Sequence, residues 1–320
     1  MKYYGGIDIG GTKVRMGLIN SEGIVVLQRL VLTPVKKPWQ EILTYISDSF
    51  TKMLKEARIQ YKQVYGIGIG CPGTFNNKRE VISFAPNLQW RNIQIKSYCD
   101  TLFSVPIWFE NDTNLSTLGV AHFGEGRTAD TIIGIFIGTG IGGGIIINKR
   151  LYIGSTGGAG EVGHIIVQEN GPRCSCGSRG CLEAIASTRT LYEKIHRLYA
   201  RSDKHSNLYK TFTAEKNKTH AIAQAYKSGE PTAVKAVDKA FHSLGTALVS
   251  LIHLINPDMI VIGGGLFESL GNIIIEKAMV VVRQNAIPGT FENVQVIGTT
   301  LGENAPLLGG AALVKMNVLS

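Results

Sequence analysis

The chain has 320 residues, 44% of them apolar and 18% charged, with a net charge of +9. Such a length suggests two domains, and 38 glycines set within apolar stretches alongside only 10 prolines exclude a disordered or collagen-like chain. No apolar run approaches the ~20 residues of a membrane span, and Met1–Asp8 carries no export signal, so a cytoplasmic protein with no membrane partner is expected.

In chain order, Tyr3–Ile9 reads as a strand, Gly10-Gly11-Thr12 breaks it, and Val14–Asn20 resumes it. Ser21-Glu22-Gly23 then turns the chain into a third strand, Ile24–Leu32. Ile42, Ile46, Phe50, Met53 and Ala57 mark one face of a helix. Val64–Gly70 and Pro106–Glu110 are strands, and Thr113–Phe123 is helical. At Thr131 the opening returns: Gly6-Ile7-Asp8-Ile9-Gly10 matches Gly134-Ile135-Phe136-Ile137-Gly138, and Ile19-Asn20 matches Ile147-Asn148, all at one offset of 128. The pattern implies a duplicated strand-turn-strand unit, one per lobe. Leu182–Ile255 is mostly helical and stops at Asn256-Pro257-Asp258. A strand Met259–Ile262, a helix Phe267–Gln284, a strand Val294–Thr299 and an apolar helix Ala305–Val318 complete the chain. The expected domains are a first lobe of residues 1–115 plus 303–320 and a second lobe of 116–302.

Three glycine turns follow strands: Gly10-Gly11-Thr12-Lys13, Gly138-Thr139-Gly140 with its continuation to Gly144, and Gly263-Gly264-Gly265. Backbone N–H groups in such turns converge on phosphates because no Cβ intervenes. None has the spacing of a Walker A loop, and the first two open into strands where a dinucleotide fingerprint opens a helix. Taken singly, each reads better as a tight hairpin; together they suggest a nucleotide gripped by a loop from each lobe. Asp8 stands mid-strand beside the first turn, where a carboxylate either helps place Mg²⁺ or pairs with Lys13 or Arg15.

His164, Cys174, Cys176 and Cys181 supply one imidazole and three thiolates, which suit a tetrahedral, structural Zn²⁺; inert reduced thiols are the alternative. Gly177 and Gly180 permit the sharp turns of such a knuckle. Sugar hydroxyls both donate and accept, so a sugar site uses Asn, Asp, Glu and His. Asn87, Asn111, Asp112, Glu161, His164 and Glu183 stand at element ends in this sequence, although Asn111-Asp112 also reads as a helix cap.

Asp8-Ile9-Gly10-Gly11-Thr12-Lys13 and Gly138–Gly144 resemble the two phosphate motifs of the actin/hexokinase/Hsp70 superfamily. Glu161-Val162-Gly163-His164, with Cys174-x-Cys176-Gly177-x-x-Gly180-Cys181-Leu182-Glu183, resembles the ROK family of repressors and sugar kinases over about residues 5 to 315. The resemblance implies an α/β, two-lobed actin-like ATPase fold of ribonuclease H-like type, with a zinc-binding loop at 161–183. It implies an ATP- and Mg²⁺-dependent hexose kinase acting on the 6-hydroxyl, with Asp112 as general base and zinc holding the sugar loop. Thr139 would then bond the γ-phosphate, and the lobes would close on binding.

Glu110-Asn111-Asp112-x-Asn114 is most similar to the bacterial glucokinases of that family, so glucose is the first substrate expected. N-acetylmannosamine or N-acetylglucosamine, then fructose or allose, are the alternatives. A sugar-sensing regulator is the reading from another class, and an assembly ATPase leaves the zinc loop unexplained. No DNA- or RNA-binding motif precedes the first strand, so no nucleic-acid partner is expected; similar kinases are often homodimers. Ten Lys/Arg against five Asp/Glu between residues 191 and 240 give +5 of the +9, which reads as a solvated helical face.

Overall fold

The duplicated pattern forms the centre of two five-stranded sheets. In the computed structural model, which describes residues 2–318, the first sheet opens with β1 (Tyr3–Ile9), β2 (Lys13–Ile19) and β3 (Val25–Leu32). After α1 (Trp39–Glu56) come β4 (Val64–Cys71), a small three-stranded sheet of β5 (Thr74–Phe75), β6 (Ile82–Ala85) and β7 (Trp90–Ile93), then α2 (Ile95–Leu102), β8 (Ile107–Asn111) and α3 (Asp112–Phe123). The first sheet has the order β3-β2-β1-β4-β8, antiparallel on the β3 side of β1 and parallel from β1 to β8.

The second sheet repeats that plan. It contains β9 (Ile132–Ile137), β10 (Ile141–Ile147) and β11 (Arg150–Leu151). The helices α4 (Glu183–Ala186), α5 (Thr188–Ser202), α6 (Asn207–Ala214), α7 (Lys218–Lys227) and α8 (Pro231–Ile255) follow. Then come β12 (Met259–Gly263), α9 (Gly265–Leu270), α10 (Ile273–Asn285), β13 (Gln295–Gly298) and α11 (Ala305–Val318). Its order is β11-β10-β9-β12-β13, the same arrangement one repeat later, and β10 lies at the offset of 128 from β2. The expected single helix Phe267–Gln284 is instead two helices. Gly271 ends α9 at φ 66° and ψ −148°, a backbone conformation open to glycine because it has no Cβ.

The chain forms two compact units: Met1–Asp130 with Gly144–Gly160 and Glu303–Ser320, and Thr131–Gly143 with Glu161–Gly302. Residues 116–130 and 144–160, which a boundary at 115 assigns to the second lobe, therefore belong to the first unit. The first unit's core joins Ile7, Ile9, Met16 and Leu18 of the sheet to Ile42, Ile46, Phe50 and Met53 of α1. Along β3 exposure alternates residue by residue, as expected of an edge strand with one face in water. In the second unit, the fully buried β12 packs with α8, whose Phe241, Leu244, Leu248 and Ile252 point inward. Asn256 closes α8 at φ 45°.

α11 belongs to the first unit, where it packs against α3, β1 and β4. Its approach depends on absent side chains. A Cβ on Gly68 would lie within 2.7 Å of Gly310 backbone atoms, and one on Gly6 within 3.0 Å of the Leu307 backbone. Among the described residues, no helix is long and apolar enough to cross a membrane.

Candidate active site and metal centre

Strand register gathers one set of candidates in the first unit. Asp8 on β1 pairs with Gly70 on β4, and Gly70 pairs with Glu110 on β8, so the three stand in one row. Asp8 and the start of α3 both border Gly70. A Cβ there would be 3.6 Å from Asp8 Oδ1 and 3.5 Å from Asp112 Cα. Burial, then the charge of Asp112, pushes the Asp8 carboxyl up to about 7; Arg15 partly offsets this and Glu303 adds to it. Arg15 forms its ion pair with Glu303, and no ion pair joins it to Asp8 among the described residues.

The helix-cap alternative for Asn111 describes what its side chain does. Asn111 Oδ1 accepts from Thr113 N (2.9 Å), Asn114 N (3.2 Å) and Thr113 Oγ1 (2.6 Å), while Nδ2 donates to Gly73 O (3.2 Å). Asp112, the first residue of α3, therefore sits on a rigid cap at a helix N-terminus, a favourable place for a carboxylate. Asp112 Oδ1 accepts from Thr113 N at 2.9 Å.

The first glycine turn is closed by Gly10 N donating to Lys13 O (2.9 Å). Thr33 holds it from behind, Oγ1 on Gly10 O (2.7 Å) and N on Thr12 O (2.9 Å). Thr12 and Lys13 are exposed. Gly11 lies against the exposed Asn87, where a Cβ would be 3.1 Å from Asn87 O. Asp8, the Gly10–Lys13 turn, Asn87, Asn111 and Asp112 are thus all residues of the first unit.

The second unit holds the other two turns and the cysteines. Gly138 N donates to Gly140 O (2.9 Å), Gly138 O accepts from Thr188 N (2.9 Å), and Thr139 is exposed. Gly264, at φ 90°, packs on the end of β9, where a Cβ would come within 2.9 Å of the Ile137 backbone. Gly264 and Gly265 therefore stand beside Gly138, and the two turns form one glycine-walled corner. Glu183 also belongs to this corner: Oε2 accepts from Ile141 N (3.0 Å) and Oε1 from Ser175 Oγ (3.2 Å). The sequence reading placed Glu183 with the sugar residues. Its contact with the Gly138–Gly144 turn, 42 residues away in the chain, had no local signal.

His164, Cys174, Cys176 and Cys181 each offer one ligand atom, and these atoms lie within 4.8 Å of one another. Cys176 Sγ is 3.7 Å from Cys181 Sγ, and His164 Nδ1 is 3.6 Å from Cys174 Sγ. Sulfurs about 2.3 Å from a tetrahedral zinc would stand about 3.8 Å apart. The donor set and its spacing fit the ion. The Ser178 backbone N–H draws the Cys176 thiol down to about 7, toward the thiolate that binds metal. His164 Nε2 lies 3.8 Å from Glu161 Oε2, so one ring nitrogen neighbours a thiol and the other a candidate sugar ligand.

The sequence matches the ROK family over residues 4–317. The chain belongs to the ROK family. It is 30% identical over 316 residues to a glucokinase of Thermotoga maritima, covering 98% of this chain and 97% of that one. A xylose repressor of Caldicellulosiruptor bescii is also 30% identical, over 98% of this chain and 78% of the repressor. Among solved structures, a ROK family glucokinase of Streptomyces griseus in complex with glucose and AMPPNP is similar at TM-score 0.82 and 31% identity, covering 98% and 99% of the two chains. The fold is the α/β actin-like ATPase fold, with the duplicated strand-turn-strand core and a Cys/His metal-binding cluster in its loop.

Proposed function

We propose that this ROK protein is an ATP-dependent hexose kinase that phosphorylates the 6-hydroxyl of its sugar, glucose before other hexoses. The observation that carries the reading is the pairing of Asp8 and Asp112 across the bare Gly70, beside a glycine turn. One carboxylate would take a proton and the other would hold a cation. In this reading Asp112 accepts the proton of the sugar hydroxyl as its oxygen attacks the γ-phosphorus. Asn87, Asn111, Glu161, His164 and Glu183 serve the sugar, with Asn111 and Glu183 acting largely through the backbone groups they bind. Gly10, Gly11, Thr12 and Lys13, with Gly138, Thr139 and Gly140, receive the phosphates of ATP, and Gly264 and Gly265 line its nucleoside.

Asp8 is the residue that would hold Mg²⁺, directly or through water, and Mg²⁺ bound there supplies charge neutralisation on the transferring phosphoryl group. His164, Cys174, Cys176 and Cys181 would hold a structural Zn²⁺. The glucokinases of Thermotoga maritima and Streptomyces griseus support the substrate choice.

The similarity to a xylose repressor keeps one other reading in view, a regulator that binds sugar without turning it over. A coupled ADP-release assay across a hexose panel, run beside calorimetric sugar titrations, separates the two. The kinase reading expects ADP release that is fastest with glucose. Glucose binding with no ADP released by any hexose would favour the regulator.

A further inference from the structure

Arg79 was not among the residues that the sequence singled out. It stands in the turn from β5 to β6 with φ 57°. Asn76 stiffens this turn: its Oδ1 accepts from Glu80 N (2.9 Å) and Val81 N (3.1 Å), and its O accepts from Arg79 N (2.9 Å). From a polar turn the Arg79 side chain runs inward until only 11% of it is exposed. Nε donates to Glu110 Oε2 at 2.9 Å, Nη1 donates to Gly157 O at 3.3 Å, and the guanidinium lies 5.8 Å from the Phe75 ring centre. Nη2 is buried with no hydrogen-bond partner among the described residues.

Glu110 passes the contact on. Its Oε1 accepts from Asn111 N (2.8 Å) and Asn114 Nδ2 (2.9 Å), groups on either side of Asp112 in the chain. A buried ion pair with a donor left over is a poor device for stability, because desolvation cancels most of the attraction. Its place beside the start of α3 gives it another use.

We propose that Arg79 is a positioning residue for phosphoryl transfer. Through Glu110 it fixes the first turn of α3 and hence the direction in which Asp112 presents its carboxylate. With Asn77, whose Nδ2 donates to Ser155 O at 2.5 Å, it also clasps the Ser155–Gly157 backbone. The clasp leaves no room for a side chain at Gly157, where a Cβ would meet Arg79 Nη1. A proton acceptor depends on placement so strongly that a 1 Å error can cost ~10²-fold in rate. This inference rests on the reading of Asp112 as the base.

The test compares full-length wild type with R79M, R79K and the double variant R79M/E110Q, measuring kcat, KM for hexose and ATP, and Tm. R79M should lower kcat by roughly 10- to 100-fold, with both KM values within about threefold. R79K keeps a charge for Glu110 without the planar fork, so it should recover part of the loss. The double variant removes both charges together, so it should melt near wild type while kcat stays low. A double variant with wild-type Tm and kcat within about twofold of wild type overturns the proposal, as does a loss of rate that tracks Tm with no recovery in R79K. If wild type releases no ADP with any hexose, the kinase reading fails, and amide exchange still decides the clasp. Faster exchange at residues 110–114 in the double variant supports it, and unchanged exchange overturns it.

Discussion

In the proposed reaction Asp112 and Asp8 have different roles, and each can be tested alone. Asp112→Asn keeps the shape of the α3 cap but cannot take a proton, so kcat is expected to fall ~10²–10⁴-fold while sugar affinity stays within about tenfold. Retention of more than about a tenth of kcat would remove Asp112 from the mechanism. Asp8 carries a pH signature. Its carboxyl is pushed up to about 7, against about 3.9 in an unfolded chain, so between those values the folded state holds a proton that the unfolded state has lost. Stability from this group therefore falls as pH rises from 4 to 7 and then levels off. Asp8→Asn has no charge to bury. In magnesium-free buffer the variant's Tm, relative to wild type, should climb across that window, and a difference flat with pH would mean that Asp8 titrates as an ordinary carboxylate.

At the scale of elements, the proposed zinc would tie together the loop at residues 161–183. Without metal, the placement of three thiols and an imidazole within 4.8 Å of one another rests on the loop's own backbone hydrogen bonds, such as Cys174 N to Ser178 O and Gly180 N to Pro172 O. Purified protein is expected to contain one zinc per chain, and chelation should lower Tm and weaken sugar binding together, since Glu161 and Glu183 flank the loop. Metal analysis giving well under one zinc per chain would rule the site out.

The ligands of this loop were legible because all four lie within eighteen residues and their chemistry is unmistakable. The central strands of both sheets were equally plain, since buried strands leave apolar runs, whereas the two-residue β11 left no such signal. Three kinds of feature were not. The break at Gly271 sits inside a run whose helical periodicity continues past it. The role of Glu183 depends on a backbone amide far away in sequence. The burial of Arg79 contradicts its own neighbourhood, Asn76–Glu80, which is polar throughout and gives no hint that one charge turns inward.

For the whole molecule, two expectations follow from how the parts are shared. Groups of both units enter the proposed reaction, so affinities for hexose and for a non-hydrolysable ATP analogue should be linked, each ligand raising the other's affinity by one common factor. Calorimetric titration of sugar with and without the analogue reads this, and identical affinities would show no coupling. The second expectation concerns the seating of α11. Gly68→Ala places a methyl against the Gly310 backbone and should cost about 1–3 kcal/mol of stability, since backbone has little room to give. Chemical denaturation checks it, and a variant as stable as wild type would mean that the helix shifts freely.

That seating also sets an order of events during synthesis. β1, β2 and β4 are made within the first 71 residues, yet the helix that covers them is encoded at Ala305–Val318. Until residues 305–318 leave the ribosome, Gly6, Gly68 and their apolar neighbours lack that cover. The second unit's main segment, Glu161–Gly302, is by then already translated. The unit whose sheet is translated before the other is therefore the one completed after it, and a ribosome that stalls near Gly302 would hold a chain with that sheet still uncovered.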